Sequence, residues 1–141
     1  MKLLKIIIAV VAFFGLIQLI PYGKEHKNPK VTKEVEWDSP KTKELFYRAC
    51  GDCHSNKTKW PWYSDIAPIS WLVMSDVQEG REHLNVSQLS KDYVKNGKKA
   101  AHEVIEGDMP PLIYKLNHPE ARLSKEEKDQ LIIGLQKTFG H

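Results

Sequence analysis

Cysteine is nearly absent: the 141 residues hold two, three positions apart. A disulfide between them would close almost no loop and stabilise little. No covalent framework supports the fold, and the thiols serve chemistry instead. Neither sign of charge dominates. Lys and Arg number 21 against 18 Asp and Glu, a net charge of +3, and Lys2 and Lys5 belong to the apolar start. Without a basic cluster interleaved with aromatics, nucleic acid is set aside as a partner. Strand-like alternation and internal repeats are also missing, which leaves an all-α chain. Its length allows one domain. With 41% hydrophobic and 28% charged residues, its composition is that of an ordinary globular protein.

The single long apolar run is at the start. Met1-Lys2-Leu3-Leu4-Lys5 leads into an unbroken stretch from Ile6 to Ile17, and Gln18 alone interrupts it before Leu19-Ile20-Pro21-Tyr22. A basic start followed by an apolar run is the pattern of an export signal. The end of the run lacks the small residues a cleavage site wants, and no Cys is there to carry a lipid. Leu3 to Tyr22 is about 20 residues, roughly 30 Å as a helix, just enough to cross a bilayer. The sequence therefore predicts an uncleaved anchor over 1–22, with a cleaved leader as the alternative. Lys2 and Lys5 place the N-terminus in the cytoplasm and the remainder on the outer, periplasmic side of the cytoplasmic membrane. Residues 23–38 are polar, aperiodic and contain Asn28-Pro29, so they read as an extended tether; 39–141 read as the folded domain.

Within that domain Ser39 suits an N-cap and Pro40 the first helical position. Leu45, Phe46, Ala49 and Cys50 then recur at helical spacing. Two prolines and Ser64-Asp65 make 61–68 a loop. A second helix is expected from about Pro68 to Arg81, with Ile69, Leu72, Val73, Asp76 and Val77 forming a largely apolar stripe. Shorter helices are expected over 87–96 and 98–106, the latter with Ala101, Val104 and Ile105 inward and Gly107 as its stop. Ser124-x-x-Glu127 is a capping box opening a last helix with Leu131, Ile132, Leu135 and Phe139 on one face and Gly140 after it.

Cys50-Gly51-Asp52-Cys53-His54 is a Cys-x-x-Cys-His motif, the attachment signature of c-type haem. Two thiols one helical turn apart can add to the two vinyl groups of a porphyrin, and the next residue projects its imidazole towards the iron. A thioredoxin-type redox pair would sit at a strand-to-helix junction that this sequence lacks. Zinc would need a fourth ligand from a distant His or carboxylate. A plain redox disulfide is the third rival. The export pattern fits the haem reading, because c-type haem is attached outside the bacterial inner membrane.

A sixth iron ligand is often a methionine, whose sulfur raises the reduction potential. Met1 is in the leader, and Met74, mid-helix, reads as core filler. Met109 lies in Gly107-Asp108-Met109-Pro110-Pro111, a segment its prolines stiffen, and is the expected ligand. A histidine (His83, His102 or His118) or an open site is the alternative, since His26 falls in the tether and His141 is terminal. Trp60-Pro61-Trp62-Tyr63, with Trp71 close behind, reads as a loop packed against helices or as haem wall, with Trp60 and Trp62 facing the same way.

The chain resembles the bacterial haem-binding domain family, small exported single-haem proteins related in motif to cytochrome c. The resemblance is carried by Cys50-Gly51-Asp52-Cys53-His54-Ser55-Asn56, Trp60-Pro61-Trp62-Tyr63-Ser64, Ile66-Ala67-Pro68 and Trp71. It continues through Glu79-Gly80-Arg81, Leu84-Asn85, Asp108-Met109-Pro110 and His118-Pro119-Glu120-Ala121. It departs at Val86 and Leu89, where aromatics are expected in relatives. The resemblance implies thioether bonds at Cys50 and Cys53, His54 as proximal ligand and Met109 as distal ligand. The expectation is thus an all-α, cytochrome-c-like domain behind a membrane anchor, holding one covalent haem c. It would be an electron carrier for redox partner proteins rather than an enzyme. A haem-based sensor or gas-binding module is the alternative, and a peroxidase-like enzyme is a further one.

Overall fold

In the computed structural model residues 1–140 are described; His141 lies outside the described residues. The architecture is helical: α1 (Lys2–Ile17), α2 (Pro40–Ala49), α3 (Gly51–His54), α4 (Ile69–His83), α5 (Tyr93–Glu106), α6 (Leu112–Asn117) and α7 (Lys125–Phe139). Two 3-10 turns, Trp62–Asp65 and Pro119–Ala121, lie between them, and one isolated parallel bridge joins Lys33 to Gln88. The all-α expectation holds.

The core forms where α5 and α2 pack on α7. α2 starts as its sequence dictates, the Ser39 side chain accepting from the Thr42 N–H with Pro40 at the first position. It buries Leu45, Phe46 and Ala49, the face that leads into the motif. The capping box of α7 is formed in full, and Leu131, Leu135 and Phe139 are buried. Each such side chain contributes about 1.5–3 kcal/mol through burial. α5 joins the two expected short helices into one from Tyr93, leaving 87–92 as loop. It ends at Gly107, whose φ of +88° is the left-handed conformation a helix stop requires. Val86 and Leu89, where the resemblance led aromatics to be expected, pack in or against this core.

α4 differs from its expectation. Of its apolar stripe only Val77 is buried; Ile69 and Leu72 are exposed, Leu72 by 60%. Periodicity identified the face but not what would cover it.

The N-terminal anchor is overturned. α1 stops at Ile17 after 16 residues, about 24 Å of helix against the roughly 30 Å of a hydrocarbon core. No helix among the described residues is long and apolar enough to cross a membrane. The physical reason is local: Ile17 is buried, and the Gln18 side chain pairs with the Ala67 backbone, donating to its carbonyl at 2.8 Å and accepting from its N–H at 2.9 Å. The end of the apolar run belongs to the fold and does not extend the helix. The single-pass anchoring, the membrane as partner and the placement on its outer side all rested on that segment and are withdrawn with it.

Residues 23–38 form no helix, and they are packed rather than hanging free. His26 stacks on Trp60 at 4.7 Å, Asn28 donates to the Thr58 carbonyl, and Val35 is buried with its N–H on the Val86 carbonyl. This segment is a strap around the motif.

Candidate functional site

Cys50 caps the end of α2, its N–H on the Phe46 carbonyl at 2.7 Å, and its own carbonyl accepts from Cys53 and His54. The chain therefore turns once between the two thiols, as the motif needs. Both thiols are free. Burial pushes both up to about 12, and for Cys53 the carboxylates of Asp76 and Asp52 add to it. They stay protonated at neutral pH, unlike the low-pKa thiolate of a thioredoxin-type pair.

His54 follows at the end of α3. Its Nδ1–H donates to the Leu84 carbonyl at 3.0 Å, which fixes the ring. Burial holds the imidazole below its ordinary pKa, hence neutral and able to bind a metal. α4 approaches the turn closely at Gly80. A Cβ there would come within 2.5 Å of the Cys53 carbonyl oxygen, so only glycine fits.

Behind this turn the polar side chains Ser55, Asn56, Thr58 and Ser87 are buried and satisfied. Ser55 Oγ donates to the Gly51 carbonyl at 2.7 Å, Ser87 Oγ accepts from the Asn56 N–H, and Thr58 Oγ1 donates to the Asp52 carbonyl. Arg81 spans the strap and the turn, donating to the Ser55 and Lys27 carbonyls, Asn28 Oδ1 and Thr58 Oγ1.

Beside Cys53 lies a cavity of about 40 Å³ lined by Asp52, Thr58, Lys59, Pro61, Tyr63, Val73, Asp76, Val77, Tyr114 and His118. Tyr114 donates its hydroxyl to Asp52 Oδ2 at 2.7 Å and stacks on His118 at 4.1 Å. Burial and that carboxylate hold the Tyr114 phenol far above its ordinary value, so it remains a donor. Both ring nitrogens of His118 are engaged, Nε2 with the Tyr63 hydroxyl at 2.7 Å and Nδ1 with Glu120 at 2.9 Å. His83 and His102 are exposed on helix surfaces. None of the three offers a free, enclosed imidazole.

Met109 is half-buried just past α5, its N–H on the Glu103 carbonyl. The structure joins Cys50, Cys53 and His54 in one turn; Cys50, His54 and Met109 are not among the residues lining the cavity at Cys53. Met74 is half-buried on α4. Trp60 and Trp62 do not share a face: Trp60 stacks in the strap while Trp62 is 76% exposed. A cleft of about 520 Å³ between the strap, α5 and α7 carries none of the motif's side chains. The sequence reading missed the Leu84 carbonyl, which no side-chain pattern announces, and the Asp52–Tyr114 bond, whose partners are 62 residues apart.

The donor set fits a haem better than an ion. No group of three or more His, Cys, Asp or Glu among the described residues converges to hold a metal ion, whereas two neutral thiols and an aimed imidazole in one turn suit a planar ring with an iron at its centre. The cavity is too small to enclose a porphyrin. Apolar surface is nevertheless available on α4 and α6, where Leu72, Leu112, Ile113 and Leu116 are exposed. Fold and site together define a small all-α haem-binding domain. The chain belongs to the Haem-binding domain family, which it matches over residues 12–137. Comparison with curated proteins and with solved structures gave no match. The redox partner proteins expected from the sequence find no support in the geometry or in these comparisons.

Proposed function

We propose that the chain holds one haem covalently, through thioether bonds from Cys50 and Cys53, and serves as a one-electron carrier, not an enzyme. His54 Nε2 is the proximal ligand and the Met109 sulfur the distal one. The observation that carries this reading is the hydrogen bond from His54 Nδ1 to the Leu84 carbonyl, one turn from two free thiols. When bound, the haem supplies a reversible Fe(II)/Fe(III) couple. The protein's part is to hold that couple still. Leu84 keeps the proton on Nδ1 and the ring in one orientation, Gly80 lets α4 press on the turn, and the buried Ser55–Asn56–Ser87 network fixes the backbone behind it. With His54 and Met109 both bound to the iron, no open site would remain for substrate chemistry.

A second reading, a haem-based sensor, is favoured by one observation: α6, which follows Met109, contains no buried residue. A segment held so lightly could release its ligand. The test is the protein made with haem-maturation machinery. A haem that survives acid–organic extraction, a low-spin visible spectrum and a reversible one-electron titration support the carrier. A high-spin, five-coordinate spectrum would move the assignment to the sensor, and absence of covalent haem by mass would overturn the attachment.

A further inference from the structure

α6 poses a packing problem. Its Leu112, Ile113 and Leu116 are 71%, 64% and 63% exposed and none of its side chains is fully buried, so hydrophobic burial does little to fix its position. What ties it to the attachment turn is polar. Asp52, between the two cysteines, accepts the Tyr114 hydroxyl on Oδ2 at 2.7 Å while Oδ1 accepts the Lys59 N–H at 2.9 Å, so both oxygens are oriented. Tyr114 in turn lies flat on His118, at 14° between planes, and His118 is held from both sides by Tyr63 and Glu120. Met109 is five residues before Tyr114, across Pro110 and Pro111, which leave little freedom between them. On its other side its N–H is pinned to the Glu103 carbonyl, which also accepts from Gly107. The Met109 segment is therefore held on α5, at the buried Pro110, through Arg122, which donates to the Lys115 and Leu116 carbonyls, and on the Cys-x-x-Cys turn itself.

We propose that Asp52 and Tyr114 are a positioning pair that sets the distal ligand: their hydrogen bond references the Met109 segment to the turn that carries the haem. This rests on Met109 being the distal ligand. The pair touches neither iron nor sulfur and acts through Pro110–Pro111 and the start of α6. A charged acceptor makes the bond strong and short, and its loss removes the hydrogen bond that joins α6 to the haem-bearing turn.

The test uses haem-loaded protein with Tyr114→Phe, which keeps the ring on His118 and removes only the hydroxyl. Covalent haem content and folding should be retained. The weak near-red band of sulfur-to-iron ligation should fall in intensity, and affinity for added imidazole should rise by about tenfold, the equivalent of one hydrogen bond. Asp52→Ala should do the same, and the double variant should be no worse than either alone. Met109→Ala, measured beside them, separates the two failures. If Met109→Ala abolishes the band while Tyr114→Phe and Asp52→Ala leave both band and imidazole affinity at wild-type values, the pair is merely structural and the proposal is overturned. If Met109→Ala itself changes neither readout, the distal assignment fails first and the proposal falls with it.

Discussion

The two segments assigned to the faces of the haem are held by opposite means. Around His54 the chain is anchored redundantly: Ser55, Asn56, Thr58 and Ser87 are buried, each is hydrogen-bonded, and Arg81 adds four further bonds across the strap. In such a network no member moves without breaking several bonds. Around Met109 the chain has an αL stop, a backbone bond to Glu103, the Asp52–Tyr114 bond and two bonds from Arg122 to α6 carbonyls, on a helix with no fully buried side chain. The contrast teaches how one small domain can combine permanence and adjustability. The proposed proximal ligand, His54, is fixed by redundancy, and the proposed distal one, Met109, by fewer contacts.

The contrast is broken most completely by removing the attachment it presupposes. Cys50→Ala with Cys53→Ala should abolish covalent haem altogether, read as haem lost on acid–organic extraction and a mass equal to the polypeptide alone. Haem that stays bonded in this variant would place the attachment elsewhere. Arg81→Ala comes next. It leaves the Ser55 and Lys27 carbonyls and Thr58 short of a donor, and should cost about 3 kcal/mol in urea unfolding. An unchanged midpoint would show that the strap and turn hold each other without it, and the proximal side would no longer be the rigid one.

How much of this was legible beforehand depends on the range of the interaction. Ser39-Pro40 and Ser124-x-x-Glu127 specify helix starts through bonds three residues away, and both starts are observed. The motif turn is likewise local. The sequence shows the strap as aperiodic but not as packed, because its contacts from Asn28 to Thr58 and from Val35 to Val86 join residues far apart in sequence. The α4 stripe was visible as a periodicity, yet Ile69 and Leu72 face outward. The anchor failed for a related reason: composition counted about 20 apolar residues, and it could not show that Gln18 would fasten the end of the run to Ala67. At the site, the spacing places Cys50, Cys53 and His54 in one turn, as observed; the Leu84 carbonyl that orients His54 leaves no mark in the sequence.

The distal side is sharpened by exchanging its ligand. Met109→His should keep six-coordination but lower the reduction potential, because a thioether favours Fe(II) more than an imidazole does. Met74→Leu should change little, since it swaps one half-buried apolar side chain for another of similar volume. A redox titration of the two variants beside wild type decides it. Equal potentials for Met109→His and wild type would remove Met109 from the iron.

The smallest effect concerns the strap and depends on pH. Glu34 sits in it, accepting from Lys43 and Lys57, from the Tyr47 hydroxyl at 3.0 Å and from Trp37. Burial alone would raise its pKa, but these hydrogen bonds outweigh burial and lower it from 4.5 to about 2. A carboxylate whose folded value lies below its unfolded value adds stability that is fully present above the unfolded value. That stability is lost as pH falls through the folded one. The window here runs from about 4.5 down to about 2. Because water screens a side chain that is still 24% exposed, the contribution is about 1–2 kcal/mol at neutral pH. Glu34→Gln should therefore lower the urea midpoint at pH 7 modestly and flatten the loss of stability between pH 4.5 and 2.5. The near-red band at pH 7 should not move, since none of these partners is in the Met109 segment. An acid slope identical to wild type would mean that the strap owes its place to its other contacts, from His26, Asn28, Val35 and Arg81, and not to Glu34.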